Sequence, residues 1–237
     1  MHNGFPPCGR LLVVSPHLDD AVFGCGMLMA TRADVTVVTV FAGIPAAPGI
    51  ATDWDGACGF GNALEAMQSR REEDRRALAM LGAHPVWMDF LDGQYEAAHS
   101  QSDLHAGLKA IIEELRPQGI FAPAGLFHRD HDIVHATMMA LYARDAEERC
   151  WWLYEEPVYR RIPGLLQRRL SGLLADGHCT TPYDLSDAVA AKAKRFAIER
   201  YASQLAAFKR KSVTLDDLCG MERYWRLAEA PLQGEAR

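Results

Sequence analysis

Residues 16–20 read Pro-His-Leu-Asp-Asp and follow directly on the apolar run Leu11-Leu12-Val13-Val14 and Ser15. One imidazole and two adjacent carboxylates thus stand where a buried strand ends. Charge is costly there unless a metal or a reaction uses it. A second cluster, His128-Arg129-Asp130-His131, follows another strand-like run at 120–123. His17 and Asp20 are three residues apart at a strand-to-helix turn, so both can face one point while Asp19 faces another. With His131 they make three N/O ligands and leave a fourth position open, the arrangement of a catalytic Zn²⁺ site.

Zinc in such a site acidifies water to a pKa of about 7 and polarises an amide carbonyl. Asp19, beside a ligand but not needed as one, is the expected base. His128, kept protonated by Asp130 behind it, is expected to serve the oxyanion and the leaving amine. Each cluster alone has a plainer reading. Asp19-Asp20 also suits a helix N-terminus, and His128 and His131 could be ordinary loop histidines. Their matching placement after two strands favours the metal reading.

The elements that must position these groups are legible as alternation. Short apolar runs at 11–15, 35–41, 86–90, 120–123 and 151–155 read as strands. Periodic segments at 21–31, 62–81, 103–115, 133–143 and 188–209 read as helices. Gly82, and Pro117 with Gly119, are stop signals. In the last helix Ser186 reads as N-cap, and Val189, Phe196, Tyr201, Leu205 and Phe208 as a core-facing stripe. Such alternation predicts a single α/β domain over 1–237: a Rossmann-like, mostly parallel sheet with helices on both faces. In such sheets ligands bind beyond the carboxyl ends of the strands, where 17–20, Asp92 and 128–131 all fall.

Residues 43–62 read as a long Gly/Ala/Pro-rich loop carrying Thr52-Asp53-Trp54-Asp55. It is either a lid, with Trp54 stacking on a sugar face, or a floppy surface loop. His135 reads as a packing residue rather than a fourth ligand. Gly24-Cys25-Gly26 lacks the third glycine of a dinucleotide fingerprint and reads as close helix–sheet packing. No G-x-S-x-G elbow is present, which argues against a serine hydrolase.

The chain has 237 residues, 49% hydrophobic and 24% charged, with net charge −6 and no basic stripe. This is ordinary globular composition and disfavours nucleic acid or an anionic membrane surface as partner. The longest apolar stretch, 35–51, is interrupted by Thr, Gly and Pro and predicts no membrane insertion. No secretory signal is apparent, and the six cysteines show no C-x-x-C or paired spacing. Reduced thiols in a cytoplasmic protein are expected. The tail after Glu229 reads as frayed.

Pro16-His17-Leu18-Asp19-Asp20 and His128-Arg129-Asp130-His131 closely resemble the two signature motifs of the PIG-L/LmbE-like family, zinc-dependent N-deacetylases of N-acetylated sugars and related amides. Arg70-Arg71-Glu72-Glu73 running to Leu81-Gly82 resembles the family's Arg-x-x-Glu helix, and Phe90-Leu91-Asp92 its post-strand Asp. Lys194, Ala197 and Tyr201-Ala202-Ser203-Gln204 resemble its C-terminal Ser-Gln helix. The likeness spans roughly residues 10 to 210 and departs from the pattern at Ala21, where the family usually has Glu. It implies His17, Asp20 and His131 as ligands of Zn²⁺, Asp19, His128 and Asp130 in catalysis, and Arg70 on sugar hydroxyls, where a solvated charge on an acidic-basic helix face is the other reading of Arg70. Asp92 suits a hydroxyl pair, or a turn before Gly93.

The expected function is zinc-dependent removal of an N-acetyl or N-acyl group, a hydrolase acting on a small-molecule amino sugar such as an N-acetylglucosamine derivative, or on a glycoconjugate. Two alternatives stand: a metal-binding but catalytically idle binding module, hinted at by Ala21, and a metal-dependent amidohydrolase of a non-sugar amide.

Overall fold

The protein is described by a computed structural model covering residues 9–46, 49–95 and 99–229. Seven strands form one sheet. They are β1 (Leu11–Ser15), β2 (Val35–Thr39), β3 (Ala83–Trp87), β4 (Gly119–Pro123), β5 (Cys150–Tyr154), β6 (His178–Leu185) and β7 (Glu222–Glu229). Their order is β3-β2-β1-β4-β5-β7-β6. The first five are parallel; β7 runs antiparallel to both β5 and β6. The sheet is therefore mostly parallel and α/β, as expected, with an antiparallel pair added at one edge.

The apolar runs β1, β2 and β4 are buried along their whole length because both faces are covered. Leu11 and Val13 face one core, with Val35, Val37, Phe121 and Trp152. Helices α1 (Asp20–Ala30), α3 (Ala63–Met80) and α7 (Ala188–Ile198) close it. Leu12 and Val14 face the other, with Val38, Ile120 and Leu153. That core is covered by α4 (Gln101–Leu115), α5 (Arg129–Asp145) and α6 (Leu165–Ala175). Alternation along each strand thus sorts one run of apolar residues into two cores.

Several expectations need correction. The third strand is Ala83–Trp87 rather than 86–90. It lies at the sheet edge, where Pro85 is tolerated, and Phe41↔Asp89 forms only an isolated antiparallel bridge. The segment expected as one helix over 188–209 is two, α7 and α8 (Ala202–Arg210). Contacts to α3 break it: Tyr201 OH donates to Asp74 Oδ1 at 2.7 Å, and Ser203 N and Oγ donate to the Glu73 carboxylate at 2.9 and 2.6 Å. The expected stripe is also corrected: α7 buries Ala190, Lys194, Ala197 and Ile198, leaving Val189 82% and Phe196 42% exposed, while Tyr201 is fully buried. Asp187, not Ser186, caps α7, accepting from Val189 N and Ala190 N. The loop over 43–62 contains a docked helix, α2 (Asp53–Cys58), capped by Thr52 and ended by Gly59 at φ 95°. Over 53–58 the reading as a floppy surface loop is therefore corrected. Helix α6, strands β6 and β7, and the short α9 (Leu215–Cys219) had no counterpart in the expected set.

Gly24 and Gly26 do permit close packing: a Cβ would lie 2.5 Å from the Tyr154 ring and 2.7 Å from Lys194 Cγ. The first contact is with the sheet, the second with α7. His135 is buried and hydrogen-bonds Pro123 O through Nδ1, a packing role as expected. Cys8 and the tail after Glu229 lie outside the described residues.

Candidate active site

The order 3-2-1-4-5 reverses between β1 and β4, and a crevice opens there at the carboxyl ends of the strands. The two polar clusters leave the sheet on either side of it. After β1, Ser15 Oγ donates to His17 O at 2.7 Å and accepts from Ala21 N at 2.9 Å, which fixes a tight turn. His17 N donates to Asp20 Oδ2 at 2.9 Å. Asp19 sits at φ 141°, ψ −36°, and makes no side-chain cap bond. That conformation is strained for a residue with a Cβ, and such strain concentrates at functional positions. The simple capping reading of Asp19 is thereby removed.

After β4 the chain enters α5 through His128. The His128 Nδ1 accepts from Asp130 N at 3.2 Å, so the neutral ring carries its proton on Nε2. One turn into the helix, His131 faces back across the crevice. His17 Nδ1 lies 3.2 Å from His131 Nε2 and 3.3 Å from Asp20 Oδ2, and His131 Nε2 lies 3.2 Å from Asp20 Oδ2. These three atoms form a nearly equilateral triangle. Zinc bonds of 2.0–2.1 Å in a tetrahedron require donor atoms about 3.3 Å apart. The triangle is one face of that tetrahedron, so the residues fit a zinc ion with a fourth position open. Among the described residues, His17, His128 and His131, and also His17, Asp92 and Asp130, have ligand atoms within 4.8 Å of one another. The second set uses carboxylates that support His17 from behind.

Both imidazoles are aimed by carboxylates. His17 Nε2 lies 2.9 Å from Asp130 Oδ2, which also accepts from Gly93 N at 3.0 Å. A Cβ on Gly93 would meet Asp130 Oδ1 at 2.6 Å, so the close approach requires glycine. His131 Nδ1 lies 3.2 Å from Glu156 Oε1, which accepts from Gly125 N and Leu126 N at 2.9 Å each. These contacts turn His17 Nδ1 and His131 Nε2 toward each other and Asp20, the placement that a second tier of carboxylates would give two metal-binding imidazoles. The expectation for Asp130 is corrected here: its carboxylate is bonded to His17 and Gly93 rather than behind His128.

Without an ion, the surrounding carboxylates favour the charged form of both imidazoles: burial lowers His17, but Asp92, Asp130 and Asp20 raise it well above the ordinary value. Burial, reinforced by Asp20, pushes the Asp19 carboxyl well above the ordinary range. Burial would raise Asp20 as well, but His131 and His17 hold it far below. Burial lowers His131, yet Asp20 and Glu156 raise it to about 9. Burial, with His17 and His131 beside it, depresses His128 below the ordinary imidazole value. The expectation of a protonated His128 is therefore replaced by a neutral Nε2–H donor.

A cavity of about 400 Å³ gathers eight of the nine expected site residues: His17, Asp19, Asp20, Trp54, Arg70, Asp92, His128 and His131. Asp130 stands behind it. Arg70 comes from α3 and is buried, its Nη1 3.3 Å from Asp92 Oδ2. Its Nε has no hydrogen-bond partner. Asp92 also accepts from Gln94 N and Nε2. Trp54, on α2, donates from Nε1 to Gln204 Oε1 at 3.1 Å, and the Lys211 ammonium sits 4.5 Å over its ring. Ala21 packs in the core and does not line the cavity.

Sequence reading missed Glu156, Gln94, Tyr159 and Lys211. Glu155-Glu156 directly after a buried strand is the same kind of signal as Asp19-Asp20 and could have singled out Glu156. Gln94 and Lys211 carry no such pattern.

The family profile described as PIG-L: GlcNAc-PI de-N-acetylase matches residues 12–142. Among curated proteins none matches the chain. Among solved structures, a deacetylase triple mutant (Orf2*T) of the teicoplanin biosynthetic pathway is 27% identical, covering 95% of this chain and 100% of that one, with TM-score 0.78. A deacetylase–bog complex from the teicoplanin pathway is 25% identical over 95% and 100% of the two chains, TM-score 0.73. N,N'-diacetylchitobiose deacetylase from Pyrococcus horikoshii, 18% identical over 98% and 90%, shares the fold at TM-score 0.64.

Proposed function

We propose, because the chain belongs to the PIG-L family of GlcNAc-PI de-N-acetylases, that it hydrolyses the N-acetyl or another N-acyl group of an amino sugar or glycoconjugate with Zn²⁺ at this site. The observation that carries the reading is the triangle of His17 Nδ1, Asp20 Oδ2 and His131 Nε2 with 3.2–3.3 Å edges. These residues would hold the ion. Zinc bound there acidifies water and polarises an amide carbonyl.

The remaining chemistry belongs to the chain. Asp19 lies next to a ligand, and a raised carboxyl pKa suits a base working near neutral pH. It accepts the proton of the attacking water and can return it to the departing amine. His128 presents Nε2–H to the carbonyl oxygen as negative charge develops on it. Asp130 and Glu156 keep the two histidines aimed. Arg70 and Asp92, paired with each other, offer a donor and acceptors for sugar hydroxyls, and Trp54 a flat apolar surface for a sugar ring. Ala21 lies away from the cavity, so its departure from the family pattern gives no support to an idle binding module.

Among the described residues no helix is long and apolar enough to cross a membrane. The five described cysteines are free thiols, which suits a reducing, cytoplasmic setting.

The test is acetate release from a panel of N-acetyl amino sugars by zinc-loaded protein, with Asp19→Asn in parallel. The variant is expected to keep its zinc and lose turnover by about a hundredfold or more. No acetate from any member of the panel at full zinc occupancy would overturn the function. Near-normal turnover by Asp19→Asn would move the base elsewhere.

A further inference from the structure

Three consecutive residues join the catalytic cavity to α2, the helix that carries Trp54. They form a single turn of 3₁₀ helix, Gly93–Tyr95, directly after Asp92. Gly93 N donates to Asp130 Oδ2, the carboxylate behind His17. Gln94 donates twice to Asp92, from N to Oδ1 at 3.1 Å and from Nε2 to Oδ2 at 2.9 Å. Its Oε1 accepts from Thr52 Oγ1 at 2.6 Å. Tyr95 OH donates to Asp55 Oδ1 at 3.1 Å. Thr52 caps α2, and Asp55 lies fully buried in its first turn. The turn thus grips the start of α2 with two adjacent side chains.

The Gln94 amide has one workable orientation. Thr52 Oγ1 accepts from Asp55 N at 3.0 Å and gives its proton to Gln94 Oε1. Turned over, the amide would set Oε1 against the Asp92 carboxylate, oxygen on oxygen. Thr52 therefore decides which end of Gln94 faces Asp92. On its other side Asp92 meets Arg70, whose Nη1 is 3.3 Å from Oδ2 and whose Nε is buried without a hydrogen-bond partner. The Arg70–Asp92 pair thus has a donor to spare, and Gln94 sets how the acceptor beside it is turned. Gln94 lines the cavity and Thr52 does not, so the influence of Thr52 on a bound sugar passes through Gln94.

We propose that Gln94 is a positioning residue for sugar recognition: seated by Thr52 of α2, it fixes the Asp92 carboxylate that, with Arg70, receives hydroxyls of the sugar ring. The inference rests on the deacetylase reading of the site. It makes selectivity for a hydroxylated ring depend on a residue of α2 that lies outside the cavity.

The test measures kcat and KM of zinc-loaded protein on N-acetylglucosamine and on its 3,4-dideoxy analogue, which lacks the ring's adjacent hydroxyl pair. Gln94→Met keeps the length of the side chain and loses both of its bonds. Thr52→Asp keeps an acceptor for Asp55 N, so α2 stays capped, but its carboxylate draws the Gln94 N–H away from Asp92. Thr52→Ser keeps both bonds and is the rescue. Gln94→Met and Thr52→Asp should each raise KM for N-acetylglucosamine about tenfold, the worth of one hydrogen bond to a charged group. Their kcat should stay within about threefold of wild type, and their KM for the dideoxy analogue within about twofold. Thr52→Ser should match wild type. N-acetylglucosamine binding to the metal-free protein, followed by NMR titration, should weaken by the same factor as KM. Unchanged KM in both variants overturns the proposal while leaving the deacetylase reading intact. So does a loss shared equally by the two substrates, the result expected if α2 is merely loosened. Sugar binding that weakens in both variants, with no acetate from zinc-loaded wild type, supports the link and refutes the deacetylase reading. Neither sugar binding nor acetate in wild type overturns both.

Discussion

Glu156→Gln isolates what the second tier contributes to metal binding. Glu156 Oε1 accepts from Gly125 N and Leu126 N and faces His131 Nδ1, while Oε2 is buried without a partner. A glutamine of the same shape keeps an oxygen at the first position and puts its amide where no bond existed. The backbone bonds survive, and the charge behind His131 is lost. Loss of such a partner typically weakens metal affinity by about 10–100-fold. Because the geometry is kept, the lower end applies: about tenfold in Kd, or about 1.4 kcal/mol. The assay is competition with a zinc chelator of known affinity, paired with a melting curve of the metal-free protein. Tm should shift by no more than about 2–4 °C, equivalent to roughly 1 kcal/mol in a chain of this size. A zinc Kd within twofold of wild type would refute the reasoning and reduce Glu156 to a loop brace.

Two further predictions concern the scaffold. Burial raises Asp74 from 3.8 to about 6, against the lowering effect of its Trp87 and Tyr201 hydrogen bonds. Its charged form is disfavoured in the fold, so its contribution to stability is present at low pH and is lost as pH rises from about 4 to about 6. The stability of wild type relative to Asp74→Asn should therefore fall by up to about 3 kcal/mol over that window. A pH-independent difference in urea unfolding would contradict it. Gly24→Ala sets a Cβ 2.5 Å from the Tyr154 ring, which is fully buried and held by its hydroxyl's bond to Val14 O. Overpacking of this kind costs about 1–3 kcal/mol. An unchanged Tm would show that α1 moves away freely.

The sequence by itself determined the two polar clusters, the strands that precede them and the parallel, two-cored sheet. Those features are local or periodic: an apolar run ending in His-Leu-Asp-Asp is visible without knowing what packs against it. Tertiary structure decided which nitrogen faces which partner. Asp130 is one residue from His131 in the chain, yet its carboxylate bonds His17, 113 positions away. Burial first, and then His17 and His131 beside it, depress His128 below the ordinary imidazole value, a sum over distant residues. Glu156 reaches His131 only because β4 and β5 lie side by side. The helix expected over 188–209 breaks because Glu73 and Asp74 of α3 bond Ser203 and Tyr201. Local propensity specifies where an element begins, but the partner that competes for its hydrogen bonds is known only once the chain has folded.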